Sequence, residues 1–326
     1  MTDSRITVDI HLDQSAWSTH LAEETLEGLS DDPPWIPPVW FYDEVGSDLF
    51  DHITRLEEYY PTESERSILV QRADEIAEIT GAHTLAELGA GTSDKTRILL
   101  DALDRRGTLD TFAPFDCSEE VLRSSAESIA AGRPDIRVHA VVGDFHEHLE
   151  GLPTEGTCLL AFLGSTIGNL DPAQRKGFLA EVAATLDDDD WFLLGTDLVK
   201  PAARLLAAYD DSQGVTARFN LNALSVINDE LRADFDIGGF EHRAVWNEAD
   251  SRIEMHLVSL ADQSVHLAAL GGLDVALRRD QHIRTEISTK FTEDQVRSEL
   301  AAAGLGVHAS WTDAAGDFLL TLSRHL

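Results

Sequence analysis

Thr84-Leu85-Ala86-Glu87-Leu88-Gly89-Ala90-Gly91-Thr92-Ser93-Asp94-Lys95 decides how this chain is read. An apolar run ends in Gly89-Ala90-Gly91, a small polar pair follows, and Ile98, Leu99 and Leu100 then recur at helical spacing. The order predicts a strand over 84–88, a glycine turn, and a helix over about 94–105. Glycines let the backbone turn tightly and let a ligand approach the main chain closely. The helix start offers unpaired N–H groups to that ligand.

Dinucleotide binders and methyltransferases both use this device. A full phosphate fingerprint requires a third glycine at position 94, where this chain has Asp94. Glu87, just before the glycines, adds a second carboxylate. An acidic turn suits a ligand with positive charge and no phosphate, and S-adenosylmethionine fits that description. The glycine pattern alone leaves a nicotinamide oxidoreductase open.

Downstream, strands and helices alternate. Strands are expected at 111–115 ending in Asp116, at 137–142 ending in Gly143-Asp144-Phe145, at 158–163, and at 191–194 ending in Gly195-Thr196-Asp197. Helices are expected over about 118–131 and after Asp171-Pro172, where proline suits the first helical position. This alternation argues for an α/β, doubly wound parallel sheet with ligands at the carboxyl ends of the strands. Before it, residues 1–30 read as polar and helical, 33–38 as a stiff proline-rich stretch, and 63–80 as an amphipathic helix. After Lys200 a long helical stretch, broken near Gly214, leads into alternating patterns at 242–246, 252–258, 265–269 and 283–290. These read as an antiparallel insertion. A helix over 293–303 and a hairpin from 307–311 and 317–323 close the sheet. The expected domains are 61–199 with 287–326 for the cofactor, and 1–60 with 200–286 for the substrate.

Composition narrows the function. The chain has 326 residues, 43% of them hydrophobic, so one large or two modest cores can form. No apolar run approaches the roughly 18 residues of a spanning helix. The first five residues lack the basic start of a secretion signal, so a cytoplasmic location is expected. The net charge is −34, which opposes nucleic-acid and anionic-membrane partners. The same self-repulsion predicts a fold that gains stability in salt. A monomer acting on a small molecule is the expectation. Cys117 and Cys158, the only cysteines, read as buried fillers at strand ends and give no disulfide framework or zinc set. His146-Glu147-His148 reads as the start of a surface helix, and Asp187–Asp190 as a solvated turn, so no metal is expected.

Several residues carry candidate chemistry. Asp116, at a strand end one βαβ unit after the glycines, can accept from ribose hydroxyls. Asp144 can accept from an adenine amine while the Phe145 ring packs on the base. Lys95 reads either as a solvated helix residue or as a partner for a cofactor carboxylate. Tyr42, Tyr59, Tyr60 and Tyr209 are the only tyrosines. A tyrosine offers a ring face to a cation and a hydroxyl to a carboxylate, which suits a zwitterionic amino acid.

Trp40-Phe41-Tyr42-Asp43, Glu58-Tyr59-Tyr60-Pro61-Thr62, Phe162-Leu163-Gly164-Ser165-Thr166-Ile167-Gly168-Asn169, Ile253-Glu254-Met255 and Thr285-Glu286-Ile287-Ser288 together resemble the histidine-specific methyltransferases of ergothioneine biosynthesis. The similarity covers nearly the whole chain after about residue 33. It implies a Rossmann-like class I methyltransferase sheet with a second, smaller α+β substrate domain formed by the N-terminal segment and the insertion. It implies three methyl transfers from S-adenosylmethionine to the α-amine of L-histidine, giving hercynine. By position, the resemblance implies cofactor contacts at Gly89, Lys95, Asp116, Asp144 and Phe145. It implies histidine contacts at Tyr59, Asn169, Tyr209, Glu286 and Ser288, with Tyr42 and Met255 lining the substrate pocket. Tyr42 and Asn169 are the residues expected at the reacting amine. A carboxylate facing the ring selects imidazole over an apolar side chain. A related enzyme acting on another aromatic amino acid, and a silent cofactor-binding module, remain as alternatives.

Overall fold

A computed structural model describes residues 5–12, 14–91, 93–145, 148–153 and 155–326. In chain order its main elements are β1 (Ile6–Ile10), α1 (Gln14–Ser30), α2 (Glu44–Ile53), α3 (Tyr60–Thr80), β2 (Thr84–Leu88), α4 (Thr96–Arg106), β3 (Thr111–Asp116), α5 (Glu119–Gly132) and β4 (Arg137–Val142). There follow β5 (Cys158–Phe162), α6 (Pro172–Thr185), β6 (Trp191–Asp197), α7 (Ala202–Tyr209), α8 (Val215–Leu231), β7 (Phe240–Asn247) and β8 (Arg252–Ser259). The chain ends with β9 (Gln263–Leu267), β10 (Leu273–Leu277), β11 (His282–Thr289), α9 (Glu293–Ala302), β12 (Leu305–Thr312) and β13 (Phe318–His325).

Two compact units result. The first comprises residues 61–199 and 291–326 together with the N-terminal segment up to residue 13. Its eight-stranded sheet runs β1-β4-β3-β2-β5-β6-β13-β12. The strands from β1 to β6 pair in parallel, whereas β13 runs antiparallel between β6 and β12. From β4 to β12 that order is the class I methyltransferase sheet, with β1 added at its edge. Alternation along each strand fills two cores. Leu85, Phe112, Leu159 and Leu193 face α3, α4 and α5, while Ala86, Phe115, Leu160 and Phe192 face α6 and α9. With both faces covered, the polar ends of the strands are left to meet ligands.

The opening segment corrects one expectation. Residues 6–10 are an edge strand in register with 138–142, not helix. Ile6 and Val8 pack on the core while Asp9 Oδ2 meets His139 Nε2 at 2.6 Å. This is strand alternation over too short a run to outweigh its polar setting. Residues 5–12 therefore belong with the first unit rather than with a 1–60 substrate domain, and the later boundary falls after Lys290 rather than after Glu286.

The second unit comprises residues 14–60 and 200–290. A three-stranded antiparallel sheet, β11-β8-β7, and a separate β9–β10 hairpin accompany α1, α2, α7 and α8. Phe41, Phe219, Leu224, Met255, Leu257 and Ile283 share its core. Asp43 caps α2 by accepting from Gly46 N at 2.7 Å. The break between α7 and α8 is built by Asp211, whose carboxylate accepts from Gln213, Val215 and Thr216 N–H groups. Burial alone would raise that carboxyl's pKa, but these backbone donors hold it below the ordinary value. Gly214 supplies the left-handed turn at φ +65°.

Among the described residues, no helix is long and apolar enough to cross a membrane, and no cluster of three ligating side chains suits a metal. His146 and Glu147, of the expected surface helix, lie outside the described residues, as do Met1–Ser4 and Thr92. His148 folds back so that Asp144 N donates to its Nδ1 at 3.2 Å. Cys158 is buried as expected, but Cys117 is exposed, because it follows the end of β3 rather than lying within it.

Candidate active site

In the first unit the candidate residues gather where β2, β3, β4 and β5 end. Gly89 and Gly91 adopt left-handed conformations at φ +65° and +47°. No heavy atom lies within 4 Å of where a Cβ would stand on either. The turn therefore leaves main chain open to a ligand. Gly91 N donates to Asp116 Oδ2 at 2.9 Å and Ser118 N to Asp116 Oδ1 at 3.0 Å. Two neutral donors fix the carboxylate yet leave lone pairs on both oxygens, as an acceptor for two hydroxyls requires. Phe145 follows β4 and packs edge-on against Phe162 and Phe178, with ring centroids at 5.6 and 5.7 Å. Asp144 precedes it in the same strand-end turn.

The charges in this turn differ from the expected ones. Glu87 is buried, and burial pushes its carboxyl up to about 8, opposed by the Thr96 hydroxyl and the Lys95 ammonium. It is therefore mostly uncharged at neutral pH and does not add to the acidity of the turn. Asp94 is exposed and approaches Arg97 at 3.9 Å. Asp116 is the carboxylate held against the glycine turn.

Lys95 does not stand in solvent at the start of α4. It pairs with Glu65 of α3, a fully buried carboxylate. Both Glu65 oxygens also accept from Gly164 N, at 2.9 and 3.0 Å. A Cβ on Gly195 would collide with Glu65 Oε1, so β6 carries glycine there. Glu65 thus ties the turn after β5 to the cation beside the glycines. That turn is held in left-handed conformations at Gly164 and Ser165, with φ of +76° and +59°. Ser165 Oγ accepts from Asp197 N at 2.9 Å. Asn169 closes the short 3-10 turn that follows and is half-buried.

In the second unit, an aromatic chain links Tyr42, Phe50, Tyr59 and Tyr209 edge to face, with successive centroids 5.7, 6.3 and 6.2 Å apart. Tyr60 instead hydrogen-bonds to Lys200 at 2.7 Å, with that ammonium 4.2 Å from its ring centroid. Three of the four tyrosines therefore come together, and the fourth serves a separate contact. Met255 of β8 is buried and lies directly opposite Glu286 of β11 in the strand register. Thr285, at the bulge beside it, donates to Met255 O at 3.1 Å. Burial pushes the Glu286 carboxyl up to about 7, opposed by the charge of Lys290. Ser288 Oγ lies 2.8 Å from Tyr209 OH.

Lys290 and Glu65 escaped the sequence reading. Lys290 is fully buried and donates to Tyr209 OH at 2.9 Å and to Ser288 Oγ at 2.8 Å. A usable signal existed, since strand alternation puts 286, 288 and 290 on one face, and Lys290 is one of only four lysines in the chain. His242, buried, steadies Tyr209 from behind. Asn220 Nδ2 donates to its Nδ1 at 2.8 Å, so Nε2 carries the proton and donates to Tyr209 O at 2.8 Å. Burial holds this imidazole below its ordinary pKa and therefore neutral.

A family model described as histidine-specific, S-adenosylmethionine-dependent methyltransferase matches residues 21–325. This chain belongs to that family. A histidine N-alpha-methyltransferase from Mycobacterium tuberculosis is 51% identical, covering 98% of this chain and 99% of its own length. The protein of the same name from Mycolicibacterium smegmatis is 53% identical, covering 93% and 94%. Ergothioneine biosynthesis protein 1 from Neurospora crassa is 30% identical over 90% of this chain, which spans 34% of that longer protein. Among solved structures, an S-adenosylmethionine-dependent methyltransferase from Clostridium acetobutylicum aligns over 85% of this chain and 98% of its own, at 12% identity and a TM-score of 0.48. As a member of this family, the chain is a methyltransferase that uses S-adenosylmethionine. The open glycine main chain and the half-satisfied Asp116 fit that cofactor's ribose and methionine portions. No phosphate has to approach the carboxylate.

Proposed function

We propose that this enzyme transfers methyl groups from S-adenosylmethionine to the α-amine of L-histidine, three in succession, giving Nα,Nα,Nα-trimethylhistidine for ergothioneine biosynthesis. The observation that carries the reading is one polar strand face. Glu286 and Ser288 present an acceptor and a hydroxyl two residues apart in β11, with Ser288 beside Tyr209. An imidazole needs that pair, since one ring nitrogen donates and the other accepts. An indole has only a donor, which leaves one of the two groups unpaired. Identities of 51% and 53%, over 98% and 93% of this chain, with mycobacterial histidine N-alpha-methyltransferases support the same substrate.

The cofactor, when bound, supplies an electrophilic methyl on a positively charged sulfur. The protein's own part is binding and orientation. Asp116 accepts from the ribose hydroxyls, Asp144 and Phe145 take the adenine, and Gly89 and Lys95 contact the methionine portion. Tyr209 and Asn169 take the α-carboxylate, which leaves the amine as the free end of the substrate. That amine, with an ordinary pKa of about 8, must shed a proton to water before it attacks. Holding it in line then contributes most of the rate. Tyr42 and Tyr59 offer ring faces that favour the quaternary ammonium as it forms, and Met255 shapes the pocket wall.

A panel of L-histidine, its mono- and dimethylated forms, L-tryptophan and histamine tests this. Turnover of the three histidines, with neither L-tryptophan nor histamine converted, is expected. Preferential methylation of L-tryptophan would overturn the assignment.

A further inference from the structure

Lys290, Tyr209 and Ser288 form a triangle of hydrogen-bond contacts within the second unit. The ammonium lies 2.9 Å from Tyr209 OH and 2.8 Å from Ser288 Oγ, and the two oxygens are 2.8 Å apart. All three residues are buried, Lys290 completely. The ammonium also sits 4.6 Å from the Tyr209 ring centroid. Burying a lysine charge is costly unless it is paired, so a lysine used only to fill space is better replaced by methionine or leucine.

The chemistry of the triangle is directional. An ammonium donates and never accepts. Each hydroxyl oxygen therefore receives a hydrogen bond from Lys290, and that bond does not use the hydroxyl's own proton. The contact between the hydroxyls consumes one of those protons when no substrate is near. A carboxylate and an unprotonated imidazole nitrogen are both pure acceptors. When both arrive, Lys290 keeps both oxygens hydrogen-bonded while the two hydroxyls turn outward together.

We propose that Lys290 is a positioning residue for the amino-acid substrate. It clamps the Tyr209 and Ser288 oxygens so that both hydroxyls donate outward, one to the α-carboxylate and one to the imidazole nitrogen that carries no proton. This rests on the histidine reading above. The consequence is specificity as well as affinity. With Ser288 obliged to donate and the ionised form of Glu286 to accept, the site selects a neutral imidazole in one tautomer.

A double-mutant cycle tests the clamp. Histidine affinity is measured by calorimetry, with S-adenosylhomocysteine present, for the wild type, Lys290→Met, Tyr209→Phe and the double variant. Lys290→Met should weaken histidine roughly tenfold or more. Affinity for S-adenosylhomocysteine should stay within about twofold. If Lys290 works through the Tyr209 hydroxyl, the double variant should be little worse than Tyr209→Phe alone, since coupled groups are not additive. Histidine affinity within about twofold of wild type in a folded Lys290→Met variant would overturn the proposal, and so would losses that simply multiply. Should Lys290→Met lack a wild-type melting transition, Lys290→Gln replaces it in the cycle under the same criteria. A wild type that binds no histidine would overturn the substrate reading and the clamp together. A wild type that binds it while the variants are indifferent would overturn the clamp alone.

Discussion

Replacing Glu286 by glutamine isolates the contact that distinguishes histidine from other amino acids. Burial pushes this carboxyl up to about 7, and Lys290 keeps it from going higher. It is an acid whose folded pKa lies above its ordinary 4.5, so it is neutral on the acid side and charged on the alkaline side. Only the charged form accepts a hydrogen bond from an imidazole N–H at full strength. The ionised fraction is about one-eleventh at pH 6, about half at pH 7 and about ten-elevenths at pH 8. A glutamine amide oxygen accepts equally at every pH, though as a neutral group. Charge-assisted hydrogen bonds exceed neutral ones by roughly 1–1.5 kcal/mol, or about tenfold in affinity. The ratio of KM for histidine, Glu286→Gln over wild type, should therefore be near unity at pH 6 and climb to roughly tenfold by pH 8. Titration of the substrate's own imidazole and amine cancels in that ratio, because both enzymes meet the same substrate. Steady-state methyl transfer at saturating cofactor, from pH 6 to 8.5, supplies the data. A flat ratio, or one that falls with pH, would refute the role of Glu286 as a charged acceptor.

Three further expectations follow from other parts of the molecule. Asp116→Ala removes the acceptor of Gly91 N and should weaken the cofactor by roughly tenfold or more, with histidine affinity at saturating cofactor little changed; calorimetry separates the two. Glu87, pushed up to about 8 from 4.5, has a folded pKa above its unfolded one, so its contribution is fully present below pH 4.5 and is lost as pH rises through 8. Glu87→Gln carries no such slope, and urea melts at pH 5 and pH 9 should show the wild type losing on the order of 3–5 kcal/mol more than the variant. With a net charge of −34, the melting temperature should rise steadily with KCl up to molar concentration, and calorimetry showing no gain would remove the self-repulsion argument.

Much of this architecture was legible because it rests on local pattern. The run from Leu85 to Leu88, the glycines and the amphipathic segment after Lys95 announce strand, turn and helix without help from distant residues. The ends of β3, β4 and β5 carry the polar residues that a doubly wound sheet sends to its ligand edge. What stayed hidden depends on burial or on partners far apart in sequence. Glu65 gains its meaning from Lys95, Gly164 and Gly195, which come from three separate stretches of chain. Glu87 reads as a negative charge until its desolvation is known. Lys290 follows the end of β11, two residues after Ser288, so its period of two was visible, but its contact with Tyr209 was not. The edge strand β1 and the second hairpin strand β10 are five residues each, too short for periodicity to speak over composition.

The most direct test of the central claim is mass spectrometry with fragmentation of L-histidine incubated with the enzyme and methyl-labelled S-adenosylmethionine in high salt. The account predicts one-, two- and then three-methyl products, with every label on the α-nitrogen and none on the ring. Label on an imidazole nitrogen, or no methylated histidine while the cofactor binds, would contradict it.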